Sequence, residues 1–202
     1  LSIVFLCQMA APAFASPHAA AKNAPTPAGI SEIFSDMVPE DSWSYDALMT
    51  AIETGLLRGD NGELRPQAAL TRAEMITIVL RALGLDDSRG RDLAPFEADV
   101  STFRDVHASD WYFDEIAMAY RLKLLSGTSG DEMSPDGIVS REQALVILCR
   151  ALGFDTLYAD ESALNRFSDA GDLSPWARPS VAVMASRGYV NGSEGALYPL
   201  TA

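Results

Sequence analysis

FRDVHASDWYFDEIAMAYRLKLLSGTSGDEMSP, Phe103–Pro135, decides the fold, because its skeleton occurs three times in the chain. Each copy runs Phe-x-Asp, a capping group, Trp, a short helical pattern, a glycine loop and a proline. Phe34 to Pro66, Phe103 to Pro135 and Phe167 to Pro199 are each 32 positions apart. A spacing held three times makes the repeat the unit of design, and it directs attention to the joints between units.

Outward from this core, five positions past Pro66 and Pro135, stand Thr71-Arg72-Ala73-Glu74 and Ser140-Arg141-Glu142-Gln143. Apolar residues then follow at helical spacing: Met75, Ile76, Val79, Leu80 and Leu83, and Leu145, Leu148, Cys149 and Leu152. Both runs close on Ala-Leu-Gly, which puts Gly84 and Gly153 at helix C-termini. The first helix of each copy is expected to start at a cap just before its tryptophan: Asp41-Ser42 before Trp43, Ser109-Asp110 before Trp111, and Ser174-Pro175 before Trp176, with Pro175 at a first helical position. The first two should run to Gly59 and Gly127, and the third should stop at Gly188-Tyr189. A helix pair of this size cannot bury its own apolar stripe, so the copies must share a core. The expected fold is all-α: three helix-loop-helix repeats packed as a pseudo-threefold bundle or spindle, the third incomplete.

The expected organisation is a signal-peptide remnant (1–15), a flexible lead-in (16–33), repeat one (34–84), a linker (85–102), repeat two (103–153), a linker (154–166) and repeat three (167–202), ending before its second helix. Leu1 to Ala15 is an apolar run closing on Ala13-Phe14-Ala15, a small-residue cleavage site, without a basic start. Leu6 precedes Cys7 where lipoprotein processing wants a small residue, which argues against a lipid anchor. Without a second helix of its own, repeat three is expected to leave the apolar face of its first helix poorly covered. Cys149, within an apolar run, reads as a buried unpaired thiol.

Twenty-eight acidic against 15 basic residues give a net charge of −13, which disfavours nucleic acid and anionic membrane as partners. Any anionic partner must be met by local arginines. Two histidines, His18 and His107, leave little for a histidine-dependent triad, and neither zinc spacing nor a phosphate-cradling glycine motif is present. We therefore expect no enzyme activity, no metal and no cofactor.

The capping box accounts for Thr71, Glu74, Ser140 and Gln143. It does not account for Arg72 and Arg141, which place a positive charge at the positive end of a helix dipole at a cost of about 0.3–1 kcal/mol. Two readings stand: a site for an anionic group beside free helix-start N–H groups, or a structural salt bridge to a neighbouring copy. Trp43, Trp111 and Trp176 could plug the core or offer a ring face to a sugar. Asp36, Asp105 and Asp169 could serve a turn, bind sugar hydroxyls or orient the arginine. The phenylalanines read as core.

Phe34-Ser35-Asp36, Trp43, Gly59, Pro66 and Leu70-Thr71-Arg72-Ala73-Glu74 resemble the S-layer homology repeat, and the resemblance extends over roughly residues 34 to 202. It implies a helical spindle whose inter-repeat grooves bind cell-wall glycan, commonly a secondary polysaccharide ending in a pyruvylated sugar whose carboxylate would pair with the arginine. By resemblance, Arg72 and Arg141 lead the ligand-binding candidates, with Trp43, Trp111, Asp36 and Asp105 beside them and Gly59 and Gly127 allowing close backbone approach. The sequence departs from the pattern at Ser140-Arg141-Glu142-Gln143, which keeps only the arginine, and the third copy shows no such motif. The expectation is a secreted module at the cell surface that holds a surface or S-layer protein to anionic wall polysaccharide or a peptidoglycan-linked polymer, with any self-assembly running through other regions. The alternatives are the wall-targeting part of a polysaccharide hydrolase, and lattice-contact repeats without glycan.

Overall fold

The computed structural model describes residues 34–86 and 100–201. The proposed signal remnant, the lead-in, Cys7, His18 and most of the first linker lie outside them. The described residues form five α-helices: α1 (Tyr45–Glu53), α2 (Arg72–Ala82), α3 (Phe113–Arg121), α4 (Arg141–Ala151) and α5 (Arg178–Ser186), with 3-10 turns at Glu161–Leu164 and Ala170–Asp172. No strand occurs among them, so the protein is all-α as the repeat implied; β-type pairing is limited to isolated bridges such as Thr71 with Ile138.

The second helices follow the sequence closely. In α2, Thr71 Oγ1 accepts from Glu74 N (3.2 Å) while Thr71 N donates to Glu74 Oε2 (2.9 Å). In α4, Ser140 and Gln143 make the same reciprocal pair. Both helices end where expected, with Gly84 and Gly153 in the left-handed region at φ +69° and +66°.

The first helices start later than the sequence suggests. None of α1, α3 and α5 has a side-chain N-cap bond, and each tryptophan sits in a turn ahead of its helix. Main-chain bonds form these turns: Tyr45 N to Ser42 O, Phe113 N to Asp110 O, and Ala177 N to Ser174 O. The proline within the first turn of α5 is Pro179, not Pro175. The helices α1 and α3 also stop early, at Glu53 and Arg121, with Gly55 and Lys123 taking the left-handed conformation expected of a helix end. Gly59 and Gly127 belong instead to the loops beyond.

Each loop is closed by its own Phe-x-Asp segment. Ser35 N donates to Gly62 O, Arg104 N to Asp131 O and Ser168 N to Gly195 O, at 2.8–3.0 Å. The aspartate then takes two successive loop amides on its two carboxylate oxygens: Leu64 and Arg65 on Asp36, Met133 and Ser134 on Asp105, Leu197 and Tyr198 on Asp169. The phenylalanines are buried, and their rings fill the space a glycine side chain would need. A Cβ on Gly59 would lie 2.3 Å from Phe34 Cε1, and one on Gly192 2.9 Å from Phe167 Cε1.

Repeats are joined through the start of each second helix. Arg72 N donates to Gly137 O and Ala73 N to Pro135 O; one repeat on, Arg141 N donates to Thr201 O and Glu142 N to Pro199 O. The N–H groups that open each helix are thus satisfied by carbonyls around the proline of the following copy. For Pro135 and Pro199 this gives the fixed register a purpose: the loop each one ends presents carbonyls to a helix in the preceding repeat. The helices follow the same order, α2 packing on α3 and α4, and α4 on α5.

One shared core results, running from Leu48 through Met75, Ile76, Leu80, Ile116 and Leu145 to Met184. Cys149 is free and buried within it. Contrary to the expectation of a poorly covered third repeat, Val181–Ala185 of α5 are buried. Repeat two supplies the cover through α4, and the turn at Glu161–Leu164 completes it.

Candidate functional site

Arg72 is 5% exposed, with Nε donating to Met133 O (3.1 Å) and Nη2 to Ser126 O (2.8 Å). Both acceptors belong to repeat two, so the side chain crosses the joint. Burial pulls its pKa below the usual arginine value and the Asp105 carboxylate acts in the opposite direction; a guanidinium stays charged regardless. Neither sequence reading survives unchanged. The first-turn amides are not free, since Arg72 N and Ala73 N are taken by repeat two and Glu74 N by Thr71. The cross-repeat contact exists, but its acceptors are main-chain carbonyls rather than a carboxylate.

The same guanidinium lines a cavity of about 430 Å³ to which all three repeats contribute. Repeat one gives Arg72. Repeat two gives the loop Leu125–Thr128 and one side of α4, Gln143, Val146, Ile147 and Arg150. Repeat three gives Trp176. Two guanidinium groups at one cavity, in a chain of net charge −13, make a local cationic spot in an acidic protein. Gln143 Oε1 accepts from Ser140 N (3.2 Å), which leaves its NH2 group as a donor beside the cavity. Arg150 Nη1 donates to Leu124 O (3.3 Å) and to Ser126 Oγ (3.4 Å), which holds its guanidinium against the loop that follows α3 in its own repeat. Val146 and Ile147 form an apolar wall, so the cavity combines cation, amide, hydroxyl, apolar and aromatic surfaces.

The other candidates divide by geometry. Arg141 holds the equivalent helix start one repeat on, where burial lowers its pKa and Asp169 acts in the opposite direction. Asp36 and Asp105 have both carboxylate oxygens engaged by loop amides, which is the turn role among the alternatives. Asp36 titrates below its ordinary value of 3.8, chiefly through the Leu64 amide. Gly127 lines the cavity, yet a Cβ there would meet Glu132 O at 2.8 Å and Phe103 Cε1 at 2.9 Å, so packing within its repeat already requires glycine. For Gly59 the close approach is that of Phe34.

The tryptophans are not core plugs: Trp43, Trp111 and Trp176 are 66%, 61% and 55% exposed. Trp111 stands edge-on to Tyr112, ring centroids 5.3 Å apart. Trp176 is the one that lines the cavity. The sequence offers its ring, like the other two, as a possible sugar face, but the resemblance places only Trp43 and Trp111 beside the arginines, and it marks neither Arg150 nor Thr128. The signal for Trp176 was nonetheless present, since it occupies the tryptophan position of copy three; what was missing was knowledge that a site draws on three successive copies.

The fold and site define a class: an all-α tandem-repeat protein with a cationic, aromatic-lined cavity where repeats meet. Residues 33–76, 102–145 and 166–200 match the S-layer homology domain, and the chain belongs to that family. It is 31% identical over 153 residues to the Surface-layer 125 kDa protein of Lysinibacillus sphaericus, an alignment covering 75% of this chain and 12% of that protein. It is likewise 31% identical over 155 residues to an amylopullulanase of Thermoanaerobacterium thermosulfurigenes, covering 76% of the chain and 8% of the enzyme. With S-layer protein sap of Bacillus anthracis the identity is 28% over 157 residues, 77% of the chain and 18% of the relative. The chain therefore spans only a small fraction of each of these relatives. No helix among the described residues is long and apolar enough to cross a membrane.

Proposed function

We propose that this chain is a non-catalytic, secreted anchoring module that holds a larger protein at the cell surface by binding an anionic cell-wall polysaccharide. The observation that carries this reading is the joint cavity, where Arg72 and Arg150 offer positive charge, Gln143 an amide and Trp176 a ring face. A saccharide bearing a carboxylate matches that combination, with charge-assisted bonds to guanidinium and stacking on the indole. The pyruvylated glycan implied by the family resemblance has such a carboxylate. Arg141 is the corresponding candidate at the following joint, and Trp43 and Trp111 are exposed at the matching turns of their repeats.

The similarity to an amylopullulanase favours a second reading of the cargo. On that reading the same module delivers a polysaccharide hydrolase to the wall rather than a lattice protein, and the binding chemistry is unchanged.

Co-sedimentation with Lysinibacillus sphaericus wall sacculi tests the binding. Trp176→Ala removes an exposed ring and leaves the Arg72 bridge intact, so binding should weaken about tenfold or more while the far-UV CD spectrum and melting temperature hold. Binding by Trp176→Ala equal to that of the parent would remove the cavity as the site.

A further inference from the structure

Glu142 is a residue at which repeat two departs from repeat one, where the same position is Ala73. An acidic side chain 3% exposed on a helix needs partners, because an unpaired buried carboxylate is costly. Its partners are in repeat three: Oε2 accepts from Ser174 N (2.9 Å) and Oε1 from Ser174 Oγ (2.7 Å). Both oxygens thus close on one residue, at the head of the turn that carries Trp176. Ser174 O in turn accepts from Ala177 N (2.9 Å), so the clamp fixes the turn leading into α5.

The equivalent turn of repeat two is held differently. Asp110 Oδ2 accepts from His107 N (2.7 Å), closing the turn locally, while Ala73, which holds the place of Glu142 in the preceding repeat, offers no polar side chain. Repeat three has Pro175 at the corresponding place, which supplies no carboxylate and no N–H. The acidic group that secures this turn comes from the preceding repeat.

We infer that Glu142 is a positioning residue that sets Trp176 against the joint cavity, making this junction's glycan site dependent on a contact the repeat-one helix does not make. The role rests on the anchoring function proposed above. Glu142 touches no ligand in it; it acts through Ser174 and the turn.

With Trp43→Phe and Trp111→Phe, Trp176 becomes the sole tryptophan and reports its own surroundings without ligand. In that background Glu142→Ala should change the iodide-quenching constant and shift the emission of Trp176, and Glu142→Gln, which can accept from Ser174 N and donate to Ser174 Oγ, should restore both. In the full chain with all three tryptophans, Glu142→Ala should weaken binding to Lysinibacillus sphaericus sacculi about tenfold, the scale of one charge-assisted hydrogen bond, and Glu142→Gln should recover most of it. Quenching and emission unchanged in Glu142→Ala overturn the inference. If that variant fails to fold, Ser174→Ala is read in the same way, and parental quenching in it likewise overturns the inference. Failure of the parent to bind sacculi would refute the anchoring function, whereas the ligand-free fluorescence would still decide the positioning.

Discussion

Arg72→Lys separates the structural part of the joint from its charge. The substitution keeps a cation at the start of α2 but exchanges a rigid fork for a single nitrogen on a flexible stem. Arginine reaches Met133 O and Ser126 O through different nitrogens, Nε and Nη2. The single Lys nitrogen cannot take the place of both, so at least one carbonyl of repeat two loses its donor. One lost bond to a charged group at a buried carbonyl costs about 1.5–3 kcal/mol. For a domain of this size each kcal/mol moves the melting temperature by roughly 2–4 °C, so the expected fall is about 3–12 °C. The far-UV signal below the transition should be unchanged, because the capping box of α2 is untouched. The acceptors are carbonyls and do not titrate, so the deficit should be constant near neutral pH and grow as alkali deprotonates the buried ammonium. Thermal unfolding followed by CD at 222 nm reads the result. A midpoint within about 1 °C of the parent would show that the bridge contributes nothing and that burial of Arg72 has another cause.

Three further outcomes follow from the same geometry. Gly59→Ala must place a Cβ 2.3 Å from Phe34 Cε1 at φ +64°, and should cost about 2–4 kcal/mol in urea unfolding; Gly153→Ala, with φ +66° and nothing within 4 Å, should cost only about 1 kcal/mol. The Asp36 carboxyl is held below 3.8 by the loop amides, chiefly that of Leu64, so its clamp stabilises the fold above the unfolded value and is lost as pH falls through the lower folded one. Asp169 shifts the same way: burial pushes it upward, but the Leu197 and Tyr198 amides and Arg141 outweigh burial. Urea midpoints measured from about pH 5 down to about pH 2 should therefore drop less steeply in Asp36→Asn than in the parent. Burial raises the Cys149 thiol, against a hydrogen bond with Ser180, so iodoacetamide should label it only in denaturant; rapid labelling of the native protein would contradict the packing of α4 against α5.

The parts of the fold legible in sequence are those set by local chemistry. Thr71 with Glu74 and Ser140 with Gln143 fix where two helices begin, because each box is closed within four residues. Gly84, Gly153 and Gly188 mark helix ends because the backbone there needs a positive φ. The first helices start later than their sequence suggests because Asp41-Ser42, Ser109-Asp110 and Ser174-Pro175 look like caps, whereas main-chain turns carry the tryptophans out to solvent before each helix begins. At the site, Arg72 and Gln143 were legible as anomalies or motif members. Arg150 was not, nor was the placing of Trp176 at the same cavity as Arg72, because these residues come to one cavity only after three repeats have packed.

The sequence by itself determined the all-α class, the repeat period and the residues that each unit spends on its own closure, since Phe, Asp and Gly of one copy bind within that copy. Only the tertiary structure decided what Arg72 and Glu142 do. Each has its side-chain partners in the following repeat, Met133 and Ser126 for the arginine and Ser174 for the glutamate. A buried charge declares in sequence that it needs a partner; which partner answers depends on how neighbouring repeats are brought together in space.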